Sequence, residues 1–158
     1  MIIFLDLDGV LRRISSPPSV LEDCCLRPFC EAVRALPSAR IVISSGWRIG
    51  SRIEDIRRHF PADVADRIVG MTSVLETTEP YARFREVQQY LRQHASPVAA
   101  WVAIEDDPSH FPEGCANVLL LDPEKGFDSE TRDLLLRWAA EREVNGGGGS
   151  GGSTSRLC

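Results

Sequence analysis

Short apolar runs alternate with helical patterns along most of the chain, and this alternation restricts the fold more than any other feature. Residues 2–5, 40–44, 68–71, 99–104 and 118–121 have the length and apolar composition of strands. Between them, residues 25–36, 53–60 and 81–94 read as helices, the first two closed by Pro37 and Pro61. In the third, Phe84, Val87, Tyr90 and Leu91 recur at the spacing of one helix face. A last helix over residues 129–141 has Ser129 placed as its cap. Strands this apolar, each separated from the next by a helix, imply a parallel α/β sheet of about five strands covered on both faces.

At 158 residues the chain is long enough for one domain with a true core. That domain is expected to span residues 1–144. From residue 145 onward the chain reads Asn145, Gly146–Gly149, Ser150, Gly151, Gly152 and Ser153, a linker-like tract over 145–158 with nothing to bury. Met1 is followed by only four apolar residues before Asp6, too few for a secretory or membrane-spanning segment. Cys24, Cys25, Cys30, Cys115 and Cys158 have no zinc-site spacing. Reduced thiols in a packed helix are the simpler reading of the first three, with an exposed thiol at Cys158, and a reducing cytoplasm is the expected compartment. The net charge of −5 supplies no basic excess to release phosphate counterions, so the composition does not support nucleic-acid binding by itself. Arg48, Arg52, Arg57 and Arg58 make a local basic run that reads first as the solvated face of a helix.

The acids are better placed. In open α/β sheets, ligands bind beyond the carboxyl ends of the strands. The first strand runs into Asp6-Leu7-Asp8-Gly9, where alternation turns both carboxylates to one side and Gly9 allows a sharp bend. Carboxylates this close repel unless a cation or a shared proton relieves them, and magnesium suits a small set of carboxylates plus phosphate and water. The fourth strand runs into Glu105-Asp106-Asp107, a second acidic cluster at the same edge. Two such clusters at buried strand ends imply one shared site. The second strand ends in Ser44-Ser45-Gly46-Trp47-Arg48, whose hydroxyls and amides can hold phosphate oxygens. Arg83 and Arg85, opening the helix before the fourth strand, can supply the neutralising charge.

In this order, these residues resemble the motifs of the haloacid dehalogenase (HAD) superfamily. Residues 4–11, reading Phe-Leu-Asp-Leu-Asp-Gly-Val-Leu, resemble its first motif. The resemblance spans residues 1 to about 142 and implies a three-layer, Rossmann-like α/β/α fold. It further implies that Asp6 is the nucleophile forming aspartyl-phosphate and Asp8 the general acid/base. Ser44, with Ser45 next, matches the phosphate-binding hydroxyl, and Arg83 the basic third motif. Magnesium would be held by Asp6, the Asp8 backbone carbonyl and Asp106, with Asp107 supporting or replacing Asp106. Glu105 stands where many members also carry an acid.

The gaps over residues 10–40 and 48–83 leave no room for a large cap domain. An open site implies a bulky phosphorylated substrate, such as a phosphoprotein or nucleic-acid end, or closure by a partner. Arg12, Arg13, Trp47 and Arg48 are expected at its entrance, and Arg48 among the substrate-binding residues. The Ser44–Arg48 run together with Asp106-Asp107 is similar to small HAD-like domains associated with RNA-repair proteins. A receiver domain would carry its phosphoacceptor at the end of the third strand, where this chain has Gly70-Met71-Thr72. A binding module retaining the fold, or a phosphotransferase, would share these motifs.

Overall fold

The computed structural model describes residues 1–94 and 100–146, with side chains described to Arg142. Five strands, β1 (Ile2–Leu5), β2 (Arg40–Ile43), β3 (Ile68–Met71), β4 (Trp101–Glu105) and β5 (Val118–Leu120), form one parallel sheet in the order β3-β2-β1-β4-β5. The helices are α1 (Asp23–Ala35), α2 (Ile53–Arg57), α3 (Ala62–Ala65), α4 (Ala82–His94) and α5 (Ser129–Gly146). The α/β architecture without a large cap is as expected from the sequence.

The pleat assigns the core. Along β1, Ile3 and Leu5 join a large cluster with Ile41, Ile43, Val102 and Ile104. Phe29 and Val33 of α1, Ile56 of α2, Val64 of α3 and Leu135 of α5 pack into the same cluster, so these helices cover one face. Phe4 points the other way and joins Val42, Ala103 and Val87 of α4 in a second, smaller cluster. There its ring meets Tyr90 and Trp101 edge-on at 5.7 and 6.0 Å between centroids. As the central strand, β1 is wrapped on both faces, which is why Ile3, Phe4 and Leu5 are all fully buried.

Boundaries depart from the sequence pattern at several points. The segment expected as one helix over 53–60 is two short helices, with Pro61 capping the second. Arg57 bonds the Ile68 carbonyl at the start of β3, tying the helix end to the sheet edge. The last helix runs to Gly146, past both the expected stop at residue 141 and the expected start of the tail at 145. The rest of that tail, Cys158 included, and the expected start of β4 at Ala99 lie outside the described residues. Among the described residues no helix is long and apolar enough to cross a membrane. Cys24, Cys25 and Cys30 carry free thiols on α1, and burial pushes Cys25 up to about 12 and Cys30 to about 11.

Candidate active site

The strand order changes direction at β1, whose neighbours are β2 on one side and β4 on the other. A crevice at such a switch point is where open α/β sheets place ligands. Asp6 follows β1 directly, and its amide donates to Ile104 O of β4 at 3.1 Å. The next residues close a tight turn in which the amides of Leu11 and Arg12 both donate to Leu7 O, at 2.8 and 3.0 Å. Leu7, Val10 and Leu11 thereby enter the core, and Asp6 and Asp8 are left at the sheet edge. Gly9 adopts φ +72° in this turn, and a Cβ there would lie 2.1 Å from Asp106 Oδ2. The glycine thus serves two needs, a left-handed backbone and a close approach to the end of β4.

Asp6, Glu105 and Asp106 converge, each offering a carboxylate oxygen within 4.8 Å of the others. Asp6 is pushed up to about 7, first by burial and then by the charge of Glu105. Leu7 N donates to it at 2.7 Å, and the Ser45 hydroxyl, the Leu7 amide and the nearby Arg83 guanidinium pull the other way. Asp106 is raised as well, by burial and then by Asp6. Glu105 is 1% exposed; one of its oxygens contacts His110 Nδ1, and the other is buried without a partner. That orphaned oxygen, in a knot of three acids, fits a hard, oxygen-seeking cation such as Mg²⁺.

Asp8 stands outside this knot. Arg12 Nε donates to one of its oxygens at 2.7 Å and Trp47 Nε1 to the other at 3.0 Å, which leaves further lone pairs free. Arg12 is itself fixed by donating to Ser16 O at 2.5 Å, while Arg13 pairs with Glu22 at 2.6 Å. Arg12 and Trp47 are therefore partners of Asp8, whereas Arg13 is turned to Glu22.

Of the hydroxyls after β2, Ser45 faces Asp6 and also accepts from Trp47 N at 3.3 Å. Ser44 contributes its carbonyl to Arg48 at 3.2 Å. Arg48 does not line the entrance. Its side chain is 4% exposed and donates inward to Ser44 O, Ser45 O, Thr72 O and Glu86. Arg83, at 11% side-chain exposure, pairs with Glu86 at 3.0 Å and leaves its Nε buried without a partner. Arg85 turns outward to Glu79 at 2.6 Å.

Asp107 is also not brought to the cluster. It caps the following 3-10 turn, accepts from Ser109 N at 2.8 Å, and is held below the usual carboxylate range first by the Ser109 hydroxyl and then by that amide. Glu105, the last residue of β4, occupies the cluster instead. Two partners had no role in the sequence reading. His110 gave no signal there beyond its distance of five residues from Glu105. Glu86 did give one, an acid one turn from Arg83 and next to Val87 on the helix face that turns inward.

A 3-2-1-4-5 parallel sheet with acids at the ends of β1 and β4 and no large cap defines a HAD domain, of a phosphohydrolase-type superfamily. More narrowly, residues 2–131 match the family described as the HAD domain in Swiss Army Knife RNA repair proteins, and the chain belongs to that family. No curated protein and no solved structure matches it.

Proposed function

We propose that this chain is a Mg²⁺-dependent phosphohydrolase that removes a phosphomonoester, at a polynucleotide end, through an aspartyl-phosphate on Asp6. The observation that carries the reading is the convergence of Asp6, Glu105 and Asp106 at neighbouring strand ends, with Ser45 and Arg83 favouring the charged form of Asp6. Membership of an RNA-repair family supports the class of substrate. The proposed catalytic unit runs from the start of β1 to the end of α5 at Gly146.

An Asp6 oxygen attacks phosphorus and the bond to the leaving oxygen breaks, while Asp8 donates a proton to that oxygen. Asp8, now a carboxylate, takes a proton from water. The water oxygen attacks phosphorus, the bond to Asp6 breaks, and free phosphate leaves with the Asp6 carboxylate restored. Arg12 and Trp47 hold the Asp8 carboxylate in place for both transfers. Arg83, whose Nε has no partner within the protein, and the Ser45 hydroxyl bind phosphoryl oxygens. Asp6, Asp106 and Glu105 would hold Mg²⁺, whose charge would offset that of the carboxylates and the phosphate.

Asp6→Asn is expected to abolish turnover and Asp8→Asn to reduce it by about 10²-fold or more. The measurement is phosphate release from nucleotides, phosphosugars, phosphopeptides and 3′- or 5′-phosphorylated oligonucleotides. Substantial activity in purified Asp6→Asn, or preference for a phosphopeptide, overturns the corresponding part of the reading.

A further inference from the structure

The phosphate-binding side of the site rests on an acid that does not touch it. Glu86 lies on α4, buried at 4% exposure, and two of its three polar contacts are to the guanidiniums of Arg83 and Arg48. Its Oε2 accepts from Arg83 Nη1 at 3.0 Å and from Arg48 Nη2 at 2.6 Å, and its Oε1 accepts from Leu75 N at 3.1 Å. Arg48 passes the constraint on, since Nη1 donates to Ser45 O at 2.6 Å and Nε to Thr72 O at 3.1 Å. One carboxylate therefore links the guanidinium that acts on Asp6, the turn that carries the Ser45 hydroxyl, and the segment after β3.

Such an arrangement is poorly explained by stability. A buried Arg–Glu–Arg group loses so much hydration that well-packed apolar residues of the same volume commonly serve the fold as well or better. Orientation is what apolar residues cannot supply. Two guanidiniums side by side repel, and Glu86 is the carboxylate that both of them contact. It takes one Nη of Arg83 and leaves the Nε of the same group buried without an acceptor. An unpaired buried donor is costly unless an acceptor arrives, and a phosphoryl oxygen is an acceptor of the right kind.

We propose that Glu86 is the positioning residue of the phosphate cradle, holding Arg83 with its Nε unpartnered and fixing, through Arg48, the turn that presents Ser45. The proposal rests on the assignment of Arg83 and Ser45 to phosphate binding. In Glu86→Gln one carboxylate oxygen becomes an NH₂ group. That group must face either the two guanidiniums or the Leu75 amide, donor against donor in both cases. Glu86→Asp keeps the charge but falls one methylene short.

The test compares wild type, Glu86→Gln, Glu86→Asp, Arg83→Ala and the Arg83→Ala/Glu86→Gln double variant, all with Mg²⁺ present. Calorimetry reads the Kd of inorganic phosphate, and kinetics reads KM and kcat on a phosphorylated oligonucleotide. Glu86→Gln is expected to raise both the phosphate Kd and KM by about tenfold or more, with Glu86→Asp in between. In the Arg83→Ala background the same change is expected to add less than it does in wild type, because only the part carried through Arg48 to Ser45 remains. A folded Glu86→Gln protein with lowered Tm and unchanged phosphate Kd overturns the proposal, as does full additivity with Arg83→Ala. Where Glu86→Gln does not fold, Glu86→Asp is held to the same criterion. Wild type that binds phosphate without turnover refutes the phosphohydrolase reading alone, and the Kd series still decides Glu86. Wild type that binds no phosphate overturns the positioning role.

Discussion

Asp6 is held against its charge by its surroundings. Its carboxyl rises from 3.8 to about 7 because burial and Glu105 both oppose its charge. The folded pKa lies above the unfolded one, so the fold favours the protonated acid. The stability tied to Asp6 is complete below about pH 4 and is lost as the pH climbs through about 7, by up to about 4 kcal/mol. A cation bound to the three acids reverses that loss. Added Mg²⁺ should therefore raise Tm more at pH 8 than at pH 5, and equal shifts at both pH values would refute the account. Asp8 calls for a different experiment, since its partners can be removed singly. Trp47→Phe deletes the indole N–H that reaches Asp8 and keeps an aromatic ring opposite His59, 5.3 Å away in the native pair. The expected result is a fall in kcat of about tenfold with Mg²⁺ affinity unchanged; an unaltered kcat removes Trp47 from the mechanism.

At the scale of elements, the turn after β1 and the end of β4 are built against each other. Gly9→Ala forces a left-handed alanine and sets its Cβ 2.1 Å from the Asp106 carboxylate, so either the turn or Asp106 must move. A loss of about 2 kcal/mol or more is expected in urea unfolding, together with weaker Mg²⁺ binding by calorimetry. Retention of both would mean that the turn tolerates the change. The sequence pattern named all five strands and their order along the chain, because each is an apolar run closed by polar or glycine-rich turns. It read α2 and α3 as one helix, since the apolar spacing of Ile53, Ile56 and Phe60 continues across their junction. Where so short a helix ends is set by tertiary contacts, here the bonds of Arg57 to the start of β3.

For the whole molecule, the two faces of one sheet carry unequal loads. Phe29 is fully buried in the larger core and meets Phe60 and Phe127 edge-on at 6.5 and 5.5 Å. Phe29→Ala should cost about 3–5 kcal/mol, a large share of a domain's stability, measured by urea unfolding. A loss under 1 kcal/mol would show that α1 closes over the cavity. The acidic motif at Asp6 and Asp8, the serines after β2, Arg83, and the acids after β4 were all legible in the chain. Each is a local pattern, a strand followed by a turn, and strand ends of a parallel sheet share one edge whatever the details. Which acids would meet was not legible. Glu105 joined Asp6 and Asp106 while Asp107 turned to cap a 3-10 turn. Arg48 looked like an entrance residue and is the buried partner of Glu86, 38 residues away. The sequence by itself determined the sheet, its edge and the kinds of group gathered there. Only the tertiary structure decided which of them pair, because side-chain contacts depend on distances between segments that no local pattern encodes.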